Sequence, residues 1–182
     1  GECGLGLPTP WEPNDQLFVT GLGIDYGFNA NSINYGHKDM YSRHTVNWKQ
    51  GEYDPRTGNQ LRTIPEGSLA SVRLGNWDIN AEAEAIRYRY LVDTMQAKII
   101  LMKYAVVLEA PGHGLENDPY FRLRLKDENG NTISTTCGDF EFSPMNTAID
   151  WNVYEAYVWK DWTTIGMNIA KYHGQVIEIE LI

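Results

Sequence analysis

Residues 68–143 decide the fold of this chain, in five phrases: SLASVRLGN (68–76), AEAIRYRYLVD (83–93), AKIILMKYAVVLE (97–109), PYFRLRLKDENGNTI (119–133) and CGDFEFS (137–143). Each phrase is short and rich in β-branched and aromatic residues, and only a few residues separate it from the next. Closely spaced strands without helical intervals predict an all-β fold, an antiparallel β-sandwich of jelly-roll type. In such a frame the loops usually provide the function.

Two of these phrases alternate cleanly between apolar and charged residues. In the second, one face carries Ile86, Tyr88, Tyr90 and Val92 and the other carries Arg87 and Arg89. In the fourth, Phe121, Leu123 and Leu125 alternate with Arg122, Arg124 and Lys126. This period of two is typical of half-buried strands, and Asn129-Gly130 predicts a hairpin turn. The run KIILMKYAVVLE lacks alternation, so it predicts a central strand covered on both faces, with a buried helix as the alternative.

The chain length of 182 residues predicts one domain spanning 1–182. Its first part, 1–67, is rich in Gly, Asn, Asp and Pro and is expected to consist of an edge strand or two joined by long loops, with loop chemistry at 29–36 and 54–60. Residues 68–182 provide the regular strands, about ten in the whole chain with little or no helix. The terminal QVIEIELI is expected to be one of them.

The charge balance limits the classes of partner. With 15 basic and 24 acidic residues the net charge is −9, which disfavours nucleic acid and anionic membrane surfaces. The longest apolar run is far shorter than the ~20 residues of a membrane-spanning helix, so we expect no membrane insertion. Neutral glycans, proteins and divalent cations remain compatible partners. The first residues show no signal peptide, so one is expected to have been removed if the protein is exported.

Several phrases resemble a jelly-roll module of secreted Bacteroidetes surface proteins: SVRLGN (71–76), AEAIRYRYLVD (83–93), KYAVVLEAPGHG (103–114), PYFRLRLKDENGNTI (119–133) and VWKDWTTIGMNIAKYHGQVIEIE (158–180). The module is similar to MAM-like and galactose-binding-like sandwiches. The resemblance covers roughly 64–182 and implies a secreted or cell-surface adhesion or carbohydrate-binding role, possible further domains in the parent chain, and another strand beyond Ile182. It implies no catalytic residues.

Aromatic residues in loops are the first candidates for a binding site. Trp48, Trp77 and Trp151 are flanked by turn-like residues, and exposed aromatic rings suit both sugar rings and protein partners. A structural role is the alternative for each. Trp159 and Trp162 lie in a strand phrase and are expected in the core.

A structural calcium ion is the second hypothesis, because carboxylates in loops bind it. The proposed ligands are Asp25, Asp78 and Asp139, with Asp54 and Glu82 also available. No DxDxDG spacing occurs, and solvated acidic loops are the alternative. The histidines show no HxH or HExxH spacing.

Glu178 and Glu180 are the catalytic alternative. Their side chains project from one strand face about 6 to 7 Å apart, a spacing near that of the paired carboxylates in glycoside hydrolysis. A sandwich glycoside hydrolase or lyase is therefore a second function class. The competing interpretation is that both glutamates protect an edge strand from pairing.

Cys3 and Cys137 are far apart and form no CxxC motif, so they are either a disulfide or two thiols. The resemblance leaves room for a different partner of Cys137 beyond Ile182. Taken together, the sequence predicts an extracellular, non-catalytic binding or adhesion module. A carbohydrate is the first ligand expected, a surface protein the second, and a purely structural spacer is a further alternative.

Overall fold

The fold is described from a computed structural model of the chain. It covers 16–23, 33–35, 44–75, 82–110, 112, 118–133 and 139–182, with the backbone alone at 16–23, 33–35, 44 and 82–84. About half of the described residues lie in strands, and helix is limited to short 3₁₀ turns. This confirms the all-β prediction at the level of a mainly antiparallel β protein. No helix within these ranges is long and apolar enough to cross a bilayer.

Eleven strands occur in the described ranges. They are β1 (Gln16–Gly23), β2 (Ile33–Tyr35), β3 (His44–Asn47), β4 (Ser71–Leu74), β5 (Glu82–Leu91), β6 (Ile99–Glu109), β7 (Phe121–Asp127), β8 (Asp139–Phe142), β9 (Asn152–Tyr154), β10 (Tyr157–Asn168) and β11 (Val176–Leu181). Three sheets result: β1-β5-β11-β7-β8, β6-β10-β9 and β2-β3-β4. All pairs are antiparallel except β2 with β3, which is parallel.

The alternating phrases fold as their patterns predict. In β7, Leu123 and Leu125 are buried, whereas the basic residues between them are half-buried on the opposite face. The Asn129-Gly130 turn follows, with Gly130 at φ +84°. The Asp127 carboxylate accepts hydrogen bonds from Asn131 and from the Asn129 backbone, and these bonds hold the pKa of Asp127 below its ordinary value.

One core joins the five-stranded sheet to the β6-β10-β9 sheet. Buried side chains of β7 and β11 pack with Met167 of β10, and Ile100 and Met102 of β6 lie against the same cluster. A group of aromatic rings extends this core: Tyr104, Phe121, Phe140, Phe142 and Trp151. Burial raises the pKa of the Tyr104 hydroxyl.

Three strand positions differ from the sequence predictions. The predicted loop 29–36 contains the short strand β2, which pairs with β3. KIILMKYAVVLE is a strand, β6, but within the described ranges it lies at the edge of its sheet, not in the centre. Its first half alternates, with Ile99 and Leu101 exposed and Ile100 and Met102 turned to the core. Conversely, β11 is the middle strand of the five-stranded sheet, so the expectation of an edge strand at Glu178 and Glu180 is wrong.

Candidate functional site

A loop hairpin (residues 52–63) forms the centre of the candidate site. Its arms are joined by backbone hydrogen bonds from Asp54 N to Leu61 O (2.8 Å) and from Thr63 N to Glu52 O (3.0 Å). A 3₁₀ turn, Pro55–Thr57, closes the tip, and Asp54 Oδ1 caps this turn by accepting from the Arg56 backbone N–H. The predicted loop chemistry of 54–60 is therefore an ordered turn.

The buried threonine of this tip fixes the turn from inside. Thr57 donates its hydroxyl to the Asp54 carbonyl oxygen at 2.7 Å and accepts from the Leu61 N–H at 3.0 Å. Leu61 and Ile64 are also buried, and they anchor the C-terminal arm of the hairpin. A hairpin whose polar groups are satisfied internally holds its shape without a ligand.

The loop hairpin is also attached to β9 and β10. Trp162 donates its indole N–H to the Arg62 carbonyl oxygen at 2.7 Å, and the Arg56 guanidinium lies 4.8 Å from the centre of the Tyr157 ring. Gly58 adopts φ +64° against the Tyr154 ring, where an added Cβ would lie 2.7 Å from two ring carbons. These three contacts attach the hairpin to the β6-β10-β9 sheet.

A second set of hydrogen bonds ties the hairpin to the β3–β4 pair. Asn47 Nδ2 donates to Ser71 Oγ at 3.0 Å, and Ser71 Oγ donates in turn to the Thr63 carbonyl oxygen. Asn47 and Ser71 are register partners in β3 and β4, and both are buried. The segments around residues 47, 63 and 71 therefore form one hydrogen-bonded frame.

Three large apolar side chains remain exposed on this frame. Trp48, directly after Asn47, is 62% exposed; Tyr53, next to Glu52, is 40% exposed; and Leu69 is 65% exposed. We call these three residues the aromatic loop surface. An exposed tryptophan on a firmly held backbone offers a flat apolar face with a polar N–H at its edge, which suits both sugar rings and protein partners.

A glutamine holds the backbone beside Trp48 to the segment that precedes β4. Gln50 Nε2 donates to the carbonyl oxygens of Ser68 (3.0 Å) and Leu69 (3.4 Å). These bonds continue the β3–β4 pairing beyond Asn47 and Ser71, and they bring the segment of Trp48 next to that of Leu69. Two members of the aromatic loop surface therefore lie on adjoining segments.

The segment that carries the aromatic loop surface has balanced charges of its own, and Lys103 of β6 approaches it by donating to the Glu66 carbonyl oxygen at 2.9 Å. Residues 44–71 carry three basic side chains and three acidic ones: Lys49, Arg56 and Arg62, and Glu52, Asp54 and Glu66. Lys49 and Glu52 form an ion pair, with 3.4 Å between Nζ and Oε1. Although the chain as a whole is acidic, residues 44–71 by themselves carry no net charge.

The predicted tryptophans have different environments. Trp48 is exposed on the frame described above, as a loop placement predicts. Trp151 is half-buried and its ring meets Phe142 edge-on, so it extends the aromatic core. No ring contact joins Trp48 to Trp151 in the described part of the chain, and Trp77 lies outside the described residues. Of the two expected core tryptophans, Trp159 is buried and Trp162 is half-buried.

Of the three proposed calcium ligands, Asp139 lies within the described residues. Asp139 pairs with Arg122, with 3.4 Å between Oδ1 and Nε, and Arg124 lies nearby at 3.9 Å. Asp25 and Asp78 lie outside the described residues, as do Cys3 and Cys137. Across the ranges that the structure describes, no group of three histidine, cysteine or acidic side chains is placed to bind a metal.

Glu178 and Glu180 belong to a ladder of ion pairs on one face of the five-stranded sheet. Arg89 Nε lies 2.9 Å from a Glu178 oxygen, Arg87 Nε lies 2.6 Å from Glu180 Oε2, and Lys126 Nζ lies 2.5 Å from Glu180 Oε1. Glu180 is almost completely buried.

The two cations beside Glu180 decide its protonation state. Burial alone would raise the pKa of this carboxyl, but hydrogen bonds and charge interactions with Lys126 and Arg87 outweigh burial and lower it. Glu180 is therefore ionised near neutral pH and cannot serve as a general acid there. A carboxylate saturated by two cations is typical of a structural ion pair.

Comparison with known proteins adds no assignment. No family model matches the chain, and no curated protein or solved structure matches it. The resemblance to secreted Bacteroidetes modules remains a prediction.

Sequence reasoning identified Trp48 but missed its neighbours on the frame. Tyr53 stands five residues after Trp48 in the phrase VNWKQGEY, so a search of that phrase for further aromatic residues would have found it. Leu69 and Gln50 gave no such signal, because their relation to Trp48 depends on the pairing of residues 48–50 with 68–69.

Proposed function

We propose that this protein is a non-catalytic binding module, a β-sandwich of jelly-roll type whose aromatic loop surface binds a carbohydrate. The core shared by the five-stranded sheet and the β6-β10-β9 sheet supports the proposal of a sandwich. Secretion to the cell surface, and an adhesion role there, belong to the same proposal and rest on the resemblance of the strand phrases. Structural calcium and the Cys3–Cys137 disulfide stay predictions.

The proposal rests on one observation, the 62% exposure of Trp48 on a rigid frame. A ligand that covers the exposed indole removes apolar surface from water, which contributes roughly 25 cal/mol for each Å² buried. Because the frame is already held by the Asn47–Ser71–Thr63 hydrogen bonds and by Trp162, little conformational entropy is lost when a ligand binds.

A protein partner is the second candidate for the same surface. Leu69 is 65% exposed beside the Trp48 segment, and aliphatic side chains next to a tryptophan suit a protein contact as well as a glycan. A purely structural spacer is the third alternative, and it predicts that replacing Trp48 alters no binding.

An enzyme based on Glu178 and Glu180 is not supported by the ion-pair ladder. Glycoside hydrolysis needs one carboxyl protonated and one free to act as base or nucleophile. Here Glu178 is paired with Arg89, and Glu180 is buried between Arg87 and Lys126. Both carboxylates are thus engaged by cations, and the lowered pKa of Glu180 does not suit a general acid.

Affinity gel electrophoresis tests the carbohydrate proposal directly. The protein is run through gels containing a neutral polysaccharide, namely hydroxyethylcellulose, galactomannan or xylan. We expect at least one to retard the wild-type protein and Trp48→Ala to weaken that retardation roughly tenfold or more, as expected for truncating an aromatic anchor.

Met95→Ala is the matched control, because Met95 is 90% exposed in a turn that contributes nothing to the aromatic loop surface. This variant should run as the wild-type protein does. Retardation by none of the three polysaccharides, or equal retardation of wild type and Trp48→Ala, would overturn the carbohydrate proposal. Specific capture of a surface protein that depends on Trp48 would favour the second candidate instead.

A further inference from the structure

We propose that Gln50 provides a fixed hydrogen-bond acceptor for a hydroxyl group of a neutral saccharide stacked on Trp48. This inference rests on the binding function proposed above and names the ligand class and a specificity-determining residue of the same surface. It follows from the amide geometry of Gln50 and from the charges of residues 44–71.

The orientation of the Gln50 amide is set by its neighbours. The groups within reach of Nε2 are the carbonyl oxygens of Ser68 and Leu69, at 3.0 and 3.4 Å. Carbonyl oxygens only accept, so the amide nitrogen must face them and the amide oxygen must face away. The amide nitrogen of Gln50 therefore donates to the backbone of the frame.

The remaining atom, Gln50 Oε1, is left as an acceptor. In the described part of the chain it has no hydrogen-bond partner, and the Gln50 side chain is exposed. A side chain as mobile as glutamine normally loses rotamer freedom when it binds a ligand. At Gln50 the two bonds to the frame have already restricted that freedom, so its oxygen is preorganised.

Gln50 stands two residues after Trp48 in the chain, close enough for one ligand to reach both. Residues two apart in a chain are separated by no more than about 7 Å between Cα atoms, a span that one or two sugar rings cover. Sugar recognition combines an apolar ring face with hydroxyl groups at the ring edge, and Trp48 and Gln50 offer one partner for each. Hydroxyl groups donate readily, and the free oxygen of Gln50 is an acceptor.

The charge distribution favours an uncharged ligand. An anionic polysaccharide would be bound by clustered basic side chains, but residues 44–71 carry equal numbers of basic and acidic groups. Lys103 approaches this segment from β6, and its ammonium group donates to the Glu66 carbonyl oxygen at 2.9 Å. Lys49 is already paired with Glu52, and Arg56 lies over the Tyr157 ring. The net charge of −9 on the chain adds a long-range repulsion of anions.

Two roles of Gln50 can be separated by substitution. Gln50→Lys keeps a donor for the Ser68 and Leu69 carbonyl oxygens but has no acceptor, because an ammonium group only donates. It should preserve the melting temperature and weaken binding of the neutral polysaccharide roughly 3- to 10-fold, the contribution of about one hydrogen bond. Gln50→Arg repeats the test with a second donor-only side chain.

The experiment uses the full chain and the three neutral polysaccharides named above, with alginate and polygalacturonate as anionic probes. Weaker retardation of both Gln50 variants by the neutral probe, with unchanged melting temperatures, supports the acceptor role. If Trp48→Ala weakens the retardation but both Gln50 variants are retarded as strongly as the wild-type protein, this inference is overturned and the proposed function stands. Stronger retardation by an anionic probe than by any neutral one overturns the assignment of a neutral ligand.

If no polysaccharide retards the wild-type protein, the proposed function itself is refuted. If both Gln50 variants melt at a lower temperature and their binding weakens to the same extent, Gln50 only holds the frame together, and its role as an acceptor is refuted.

Discussion

Replacing Glu180 by glutamine should destabilise the protein substantially, although the residue lies on the charged face of its sheet. β11 is the middle strand, so neighbouring side chains cover Glu180 from both sides and leave its side chain 2% exposed. The carboxylate is held by Arg87 Nε at 2.6 Å and by Lys126 Nζ at 2.5 Å. Glu180→Gln keeps the shape and removes the charge that both cations share.

The magnitude follows from the burial of the two cations. Breaking a fully buried ion pair costs about 3–5 kcal/mol, because the remaining charge is left without compensation. Here Lys126 and Arg87 keep 15% and 34% of their side-chain surface exposed, and Arg87 has a second carboxylate, Glu178, at 3.9 Å. We therefore expect a loss of about 2–3 kcal/mol. For a domain of this size that corresponds to roughly 4–12 °C in melting temperature.

Urea unfolding at pH 7 measures this loss, and Glu178→Gln is the matched control. Glu178 lies two residues away on the same strand face, but its partner Arg89 is 47% exposed. Ion pairs with an exposed partner contribute about 0–1 kcal/mol, so the control should lose little. Equal losses in the two variants, or no loss in Glu180→Gln, would refute the conclusion that Glu180 is a buried structural carboxylate.

The pH dependence of the same variant provides a second check. Lys126 and Arg87 hold the folded-state pKa of Glu180 below its ordinary value, despite the opposing effect of burial. A carboxyl with a lowered folded pKa stabilises the protein above its unfolded pKa, near 4.3, and that contribution is lost as the pH falls through the folded pKa. The stability difference between wild type and Glu180→Gln should therefore be largest near neutrality and shrink below about pH 4.

Two further substitutions test how the frame and the core are held. Gly58→Ala should cost more than ~1 kcal/mol, because φ +64° disfavours an L side chain and the new Cβ would meet the Tyr154 ring at 2.7 Å; an unchanged urea midpoint would contradict that packing. Tyr172→Phe should cost about 1–2 kcal/mol, because the Tyr172 hydroxyl donates to the Ile133 carbonyl oxygen at 2.7 Å, and a wild-type melting curve would show that this bond contributes nothing.

Local patterns predicted the strands well because each depends on neighbours in sequence. The alternation of Phe121, Leu123 and Leu125 with basic residues reflects the two faces of a pleated strand, and the structure confirms it. The Asn129-Gly130 turn was equally local, since it depends on the tolerance of positive φ at Gly130.

Strand order was not predictable from such patterns. The apolar run of β6 indicated a central strand and the glutamates of β11 indicated an edge, and the described structure has the reverse. The composition of a strand reports how much of it is covered, but not which element covers it. At Glu180 the covering groups are Arg87 and Lys126, which are distant in sequence and bring burial and charge compensation together.

By itself the sequence determined an all-β chain with alternating strands and a net charge of −9, and it predicted an exposed loop tryptophan at Trp48. The tertiary structure alone decided that Trp48 stands on a hydrogen-bonded frame beside Leu69 and Gln50, and that Glu178 and Glu180 are occupied by cations. The physical reason is the range of the interactions. Backbone periodicity and turn chemistry depend on residues that are close in sequence. The partners of a side chain depend on strand pairing between segments up to about a hundred residues apart.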